Sequence, residues 1–181
     1  MLSASILRRR LNARVRRIDE HTKAKRATAE KVRRRVTALL AGAGFARTKT
    51  SFWTRPAGPV VEFVHLHLYS FTPEFRVHTG LRVLNDPFEA IALNGPSSHP
   101  TDRYDHAFGE ALDAIERCAA EIARYCHEVG EAWWASARPV DRLLFVDSVL
   151  EKDTQKALAA ALAGAAAEER LARSRLLLGV A

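Results

Sequence analysis

Long apolar runs are absent from this 181-residue chain, and cysteine is scarce. No stretch of about 18 apolar residues occurs, which excludes an apolar helix spanning a bilayer. The two cysteines, Cys118 and Cys126, fall within one expected helix. Eight residues at ~1.5 Å rise set their Cα atoms roughly 12 Å apart, beyond disulfide reach. Neither belongs to a C-x-x-C pair, so both read as small buried apolar residues in a reducing cytoplasm. Also missing are G-x-S-x-G, the P-loop, the dinucleotide-binding glycine pattern and H-E-x-x-H. A cysteine nucleophile would have to use His127 on the same helix, with no acid to orient it.

What is present is a lopsided charge. Residues 1–35 hold thirteen Lys/Arg against three acids, while the other 146 residues hold fifteen against eighteen. The net +7 therefore belongs to the N-terminal segment, and an electrostatic case for nucleic acid rests on that arm alone. Residues 1–18 contain Arg8, Arg9, Arg10, Arg14, Arg16 and Arg17, no acid, and Leu7, Leu11, Val15 and Ile18 at helical spacing. A mitochondrial presequence, a basic helix for nucleic acid or an anionic membrane surface, and a solvated, partly frayed helix or over-long start all fit this pattern. Arginine outnumbers lysine 22 to 6 and alanine reaches 31, a bias of GC-rich bacterial genomes that argues against the presequence. No aromatic is interleaved with the charges, so base stacking has nothing to use. We adopt the solvated helix.

Hydrophobic spacing predicts a basic helical arm over 1–27 followed by one α+β domain over 28–181. In it, Val32, Val36, Leu39 and Leu40 mark a helix over about 28–42, closed by Gly42 and Gly44. A strand-rich section follows over about 49–94: "TSFWTR" and "PVVEFVHLHLYS" read as a hairpin, "FRVHTGLRVL" as a third strand, and "NDPFEAIALN" as a short edge strand. Helices are expected over about 102–129, 140–150 and 153–178, and Trp133–Trp134 as a core plug. The fold class is an antiparallel sheet of about four strands packed on helices, with a helical C-terminal half.

"VVEFVHLHLYSFTPEFRVHTG" concentrates three histidines within fourteen positions. Alternation places Val60, Glu62, Val64, Leu66 and Leu68 on one face and His65, His67 and Tyr69 on the other. In the next strand Arg76, His78, Gly80 and Arg82 oppose an apolar face of Phe75, Val77, Leu81 and Val83. A four-residue turn over "FTPE" predicts His67 opposite His78, Tyr69 opposite Arg76, and His65 opposite Gly80. A one-residue slip would bury Arg76 and His78, so the apolar pattern selects this parity. His65, His67, Tyr69, Arg76, His78 and Arg82 are thus the candidate ligand-binding residues. The face reads as a solvated sheet surface, an anion site using the arginines, or a three-histidine metal site. Metal is not favoured, because two arginines would repel a cation and Glu62 points away; no cofactor is expected.

The segments "LLAGAGFARTKTSFWTR", "VVEFVHLHLYS" and "FRVHTGLRV" resemble a bacterial family catalogued as domain of unknown function 4304. The matching positions are Gly44, Phe45, Phe52, Arg55, His65, Leu66, His67, Ser70, Phe75, Val77 and Gly80, with Gly130 and Trp133 as a later Gly…Trp step. The resemblance spans roughly residues 30–150. His65 and His67 stand where the family carries Asn and Gln, so a metal site would be peculiar to this chain. The resemblance implies an α+β fold with a polar sheet face, no known enzymatic activity, and an immunity-type or accessory binding role.

The expected function is a non-enzymatic cytoplasmic bacterial binding module for a protein or small anionic ligand. Two alternatives stand beside it: an enzyme using the His/Arg cluster on a phosphate-like substrate, with or without metal, and weak nucleic-acid binding through the arm.

Overall fold

The computed structural model describes residues 4–100 and 103–180, with side chains described from Glu20 onward. The fold is α+β. Strands β1 (Ala46–Lys49), β2 (Phe52–Ala57), β3 (Val60–Leu68) and β4 (Phe75–Val83) form one antiparallel meander in chain order. Helix α1 (Ala4–Ala41) precedes the sheet. Helix α2 (Leu112–Tyr125), a π-helical turn (Cys126–Gly130), α3 (Glu131–Ala137), α4 (Val140–Leu143), α5 (Lys152–Leu162) and α6 (Glu168–Leu178) follow it.

Arm and first helix, expected as separate pieces meeting at residues 27 and 28, are one helix. No Gly or Pro interrupts residues 4–41, so nothing breaks the backbone ladder there. Its buried stripe of Ala29, Val32, Val36 and Leu40 packs with Ile115, Ala119 and Ile122 of α2 over Trp53, Val64, Leu66, Phe75 and Val77. Further along the same sheet face, Val60, Leu81 and Val83 meet Ala137, Leu143, Leu150 and Leu158. Trp134 plugs the junction as expected, its indole N–H donating to the Gly80 carbonyl at 2.9 Å.

Four boundaries depart from expectation, each for a local reason. The strands cover 46–83 rather than 49–94. The extra strand is β1, and "NDPFEAIALN" forms no strand. In its place residues 94–98 cover the β4 edge irregularly: the Asn94 side chain bonds both backbone groups of Leu81, Thr79 N–H donates to Pro96, and Ser98 N–H donates to Val77. Helix α2 starts at Leu112, not near 102, because Tyr104, His106 and Phe108 are buried alternately with exposed neighbours, a strand period. That segment runs along the start of β4, with Ala107 bridging Glu74. His106 is buried as a result.

Helix α4 ends at Leu143 rather than running to 150. The expected helix over 153–178 is two helices, α5 and α6, parted at Gly164, whose φ of +78° ends α5 in the left-handed region. Asn85 fastens the link by donating to the Ala157 carbonyl and accepting from Ala167 N–H. The break lets α6 fold onto the second sheet face, where Leu178 packs on Val61 and Phe63. Among the described residues no helix is long and apolar enough to cross a membrane.

Candidate binding surface

Strand β3 alternates strictly, and its second face carries Val61, Phe63, His65 and His67. The register differs from expectation by two residues. His65 pairs with His78, His67 with Arg76, and Phe63 with Gly80, because the connection spans residues 69–74 and closes with Tyr69 N–H donating to Glu74. A two-residue shift preserves parity, so the histidines still share one face. It also changes what Gly80 is for. A Cβ there would collide with the Phe63 ring rather than make room for His65.

That face divides into a covered and an open half. Under α6 and residues 84–94, Arg82 is only 2% exposed. Its guanidinium donates to Ser174 Oγ at 2.9 Å, the Ala90 carbonyl at 2.5 Å and the Phe88 carbonyl at 2.8 Å, and lies 3.6 Å from Asp86. Arg82 is therefore a structural tie rather than a ligand-binding group, which corrects the sequence expectation. The missing signal was the Gly164 break that brings α6 across this half.

The open half contains a row across three strands: Phe52, His65 and His78, ending on Ser97 of the edge segment. The Phe52 and His65 rings stack at 4.4 Å and 22°, and the His65 and His78 rings at 5.7 Å and 19°. His78 is 8% exposed, with Nδ1 hydrogen-bonded to Ser97 Oγ at 3.0 Å. Next to this row lie half-buried Arg76 and exposed His67, whose ring meets Tyr69 edge-on at 5.7 Å. The Lys25 ammonium pins this end of the sheet to α1 by donating to the Tyr69 and Ser70 carbonyls at 3.0 and 2.6 Å.

Electrostatics follow from burial. His65 is lowered to about 4 by burial first, then by His78, His67 and Arg33. His78 is lowered to about 4 by burial, then by Arg76 and His67. Both rings are neutral at pH 7, and Arg76 supplies a guanidinium charge to the open half. Near-parallel rings also keep the imidazole nitrogens from converging on one ion. Among the described residues no group of three or more His, Cys, Asp or Glu is arranged to hold a metal. Cys118 and Cys126 are both pushed up to about 12, chiefly by burial, far from thiolate chemistry. The candidates Arg8, Arg9, Arg10, Arg14, Arg16 and Arg17 lie outside the residues whose side chains are described.

A cluster not anticipated from sequence lies on the core face. Glu62 is 0% exposed and accepts from Arg55 Nε at 2.7 Å, with Arg138 Nε 3.2 Å from its other oxygen. Arg55 also pairs with Glu131 at 2.8 and 3.0 Å and lies 4.4 Å over the Phe45 ring. A glutamate on an otherwise apolar strand face was the available signal. Phe45 and Arg55, both part of the family-like pattern, thus serve packing and ion pairing.

No family model, no curated protein and no solved structure matches this chain. Fold and surface together define an α+β protein with a half-covered, half-open polar sheet face.

Proposed function

We propose that this chain is a non-enzymatic bacterial binding module of the immunity or accessory kind, acting in the cytoplasm. Its open half-face would contact a protein partner that presents an acidic side chain to Arg76 and His67. The observation that carries the reading is the flat row of stacked Phe52, His65 and His78 beside those two residues. A strip of stacked rings beside a charged residue suits a protein surface, whereas small ligands favour concave sites. Neutral, sheltered His65 and His78 and the fully engaged Arg82 leave too few cations for a phosphate clamp, which weighs against catalysis on a phosphate-like substrate. Both cysteines being buried thiols supports the cytoplasmic setting. The resemblance to family 4304 supports the binding role.

Random displayed peptides selected on the chain test this. The expected result is enrichment of Asp- or Glu-bearing binders whose affinity falls about tenfold or more with Arg76→Ala or His67→Ala, and stays unchanged with Leu176→Ala on α6. Binders indifferent to Arg76 and His67 overturn it.

A further inference from the structure

A group of exposed apolar residues lies away from the histidine face. A cleft of about 770 Å³ runs between residues 86–94 and 149–154, with Pro87, Phe88, Leu93, Val149 and Leu150 in its walls. A second, of about 590 Å³, opens between Trp133, Pro139, Phe145 and Val149. Val149 lines both, so the two clefts adjoin. Phe145 is 55% exposed, Val146 81% and Phe88 53%, more large apolar surface than scattered single residues would leave. The rim is acidic: Asp141 and Asp147 border the smaller cleft, and Glu151 and Asp153 the larger. Residues 140–153 hold those four acids against two bases, Arg142 and Lys152.

The complementary element is in the same sequence. Residues 1–18 carry six arginines, no acid and the stripe Leu7, Leu11, Val15 and Ile18. That stripe extends over about 16 Å of helix, enough to lay several anchors along a groove. A copy cannot fill its own clefts. Lys25 ties α1 to the Tyr69 and Ser70 carbonyls, where β3 leaves for β4. The clefts sit at the other end of those strands, where Leu81 packs with Val60, Val83, Leu143 and Leu150. Nine-residue strands put roughly 30 Å between the two ends. Because α1 is one helix through Lys25, its residues 4–24 lead away from the clefts.

We propose that residues 1–18 of one copy dock, apolar stripe inward, in the acid-rimmed double cleft of a second copy. Such a contact joins two different surfaces, so copies either exchange arms reciprocally in a two-fold dimer or build a ring or an open chain. Its charge pairing makes it sensitive to salt.

Sedimentation velocity on the full chain over a range of concentrations tests this. The expected result is a concentration-dependent mass above the 20.1 kDa protomer, reduced by added salt. Val146→Glu combined with Phe145→Glu, both at exposed positions, weakens association at least tenfold, and so does deletion of residues 1–18. Mixing these two proteins, one with an intact arm and the other with intact clefts, restores a one-to-one complex. A synthetic peptide of residues 1–18 competes for that complex and gives an independent reading should the deletion fold poorly. A chain monomeric at every concentration, self-association that survives both changes, or an arm that binds anionic vesicles while the chain stays monomeric each overturns the proposal.

Discussion

His65 lies directly across the ladder from His78, with ring centroids 5.7 Å apart and the rings only 19° from parallel. Phe52 extends the stack on one side and Ser97 ends it on the other. The row is continuous because all three strands alternate in phase, and burial keeps both imidazoles uncharged. A pair of imidazolium rings at this spacing would repel, so the stack and the neutral state support one another.

That relationship makes stability depend on pH in a fixed direction. Both rings titrate near 4 in the folded chain and near the ordinary 6.5 when it unfolds. Between these values the unfolded chain binds more protons, so stability falls as pH drops from 6.5 toward 4, and above 6.5 the two groups add no slope. Thermal melts across that window should show Tm falling for the native protein. The slope should be shallower for His65→Gln/His78→Gln, and imidazole proton shifts should report midpoints near 4. A midpoint near 6.5 for either ring refutes the neutral ladder.

The sheet face was legible in the sequence because alternation has a period of two and Val64, Leu66, Val77 and Leu81 leave no doubt which side is apolar. Parity survives a two-residue slip, so the shared face held while the pairing of His67 with His78 did not. Turn length decided the register, and "SFTPE" suits either length. Segment 103–108 fell inside the expected helix, yet its burial at Tyr104, His106 and Phe108 alternates with exposed neighbours, a strand period. The covering of Arg82 was illegible from local pattern, since it depends on where α6 returns after Gly164.

Gly80 is expected to tolerate no side chain. A Cβ there would enter the Phe63 ring, whose other neighbours include Leu178 of α6. Gly80→Ala should cost about 1–3 kcal/mol in urea unfolding, the usual penalty of overpacking. Adding Phe63→Leu should return part of that loss, because the smaller side chain vacates the space. Equal stability of native protein and Gly80→Ala would contradict the packing described.

Glu62 is the anion on which two arginines converge in the core layer. Glu62→Leu removes the carboxylate while Arg55 and Arg138 remain, and Arg138 then has no described acid within reach. The expected cost is about 3 kcal/mol, as for breaking a buried ion pair from one side. Glu131→Gln should cost less, because Glu131 is partly exposed and Arg55 retains Glu62. Denaturant midpoints of the two variants compare these directly; the reverse order would show that Glu131, not Glu62, anchors Arg55.

Arg76 and Arg82 sit on one strand and one face, yet they should behave in opposite ways. Arg82 holds the Phe88 and Ala90 carbonyls and Ser174 together, so Arg82→Met leaves one buried and two part-buried acceptors short of a donor and frees α6 from the sheet. Losing a buried charged hub of this kind costs about 3–5 kcal/mol, and amide exchange should quicken first in residues 86–91 and in α6. Arg76 has a buried, unpartnered Nε at a half-open position, so Arg76→Ala removes a desolvated donor and leaves no acceptor stranded. Its stability should stay within about 0.5 kcal/mol of the native protein, as for other surface changes. A charge that can be deleted from a sheet face at so little cost to the fold is free to serve recognition, and a large loss with Arg76→Ala would instead make it a second structural tie.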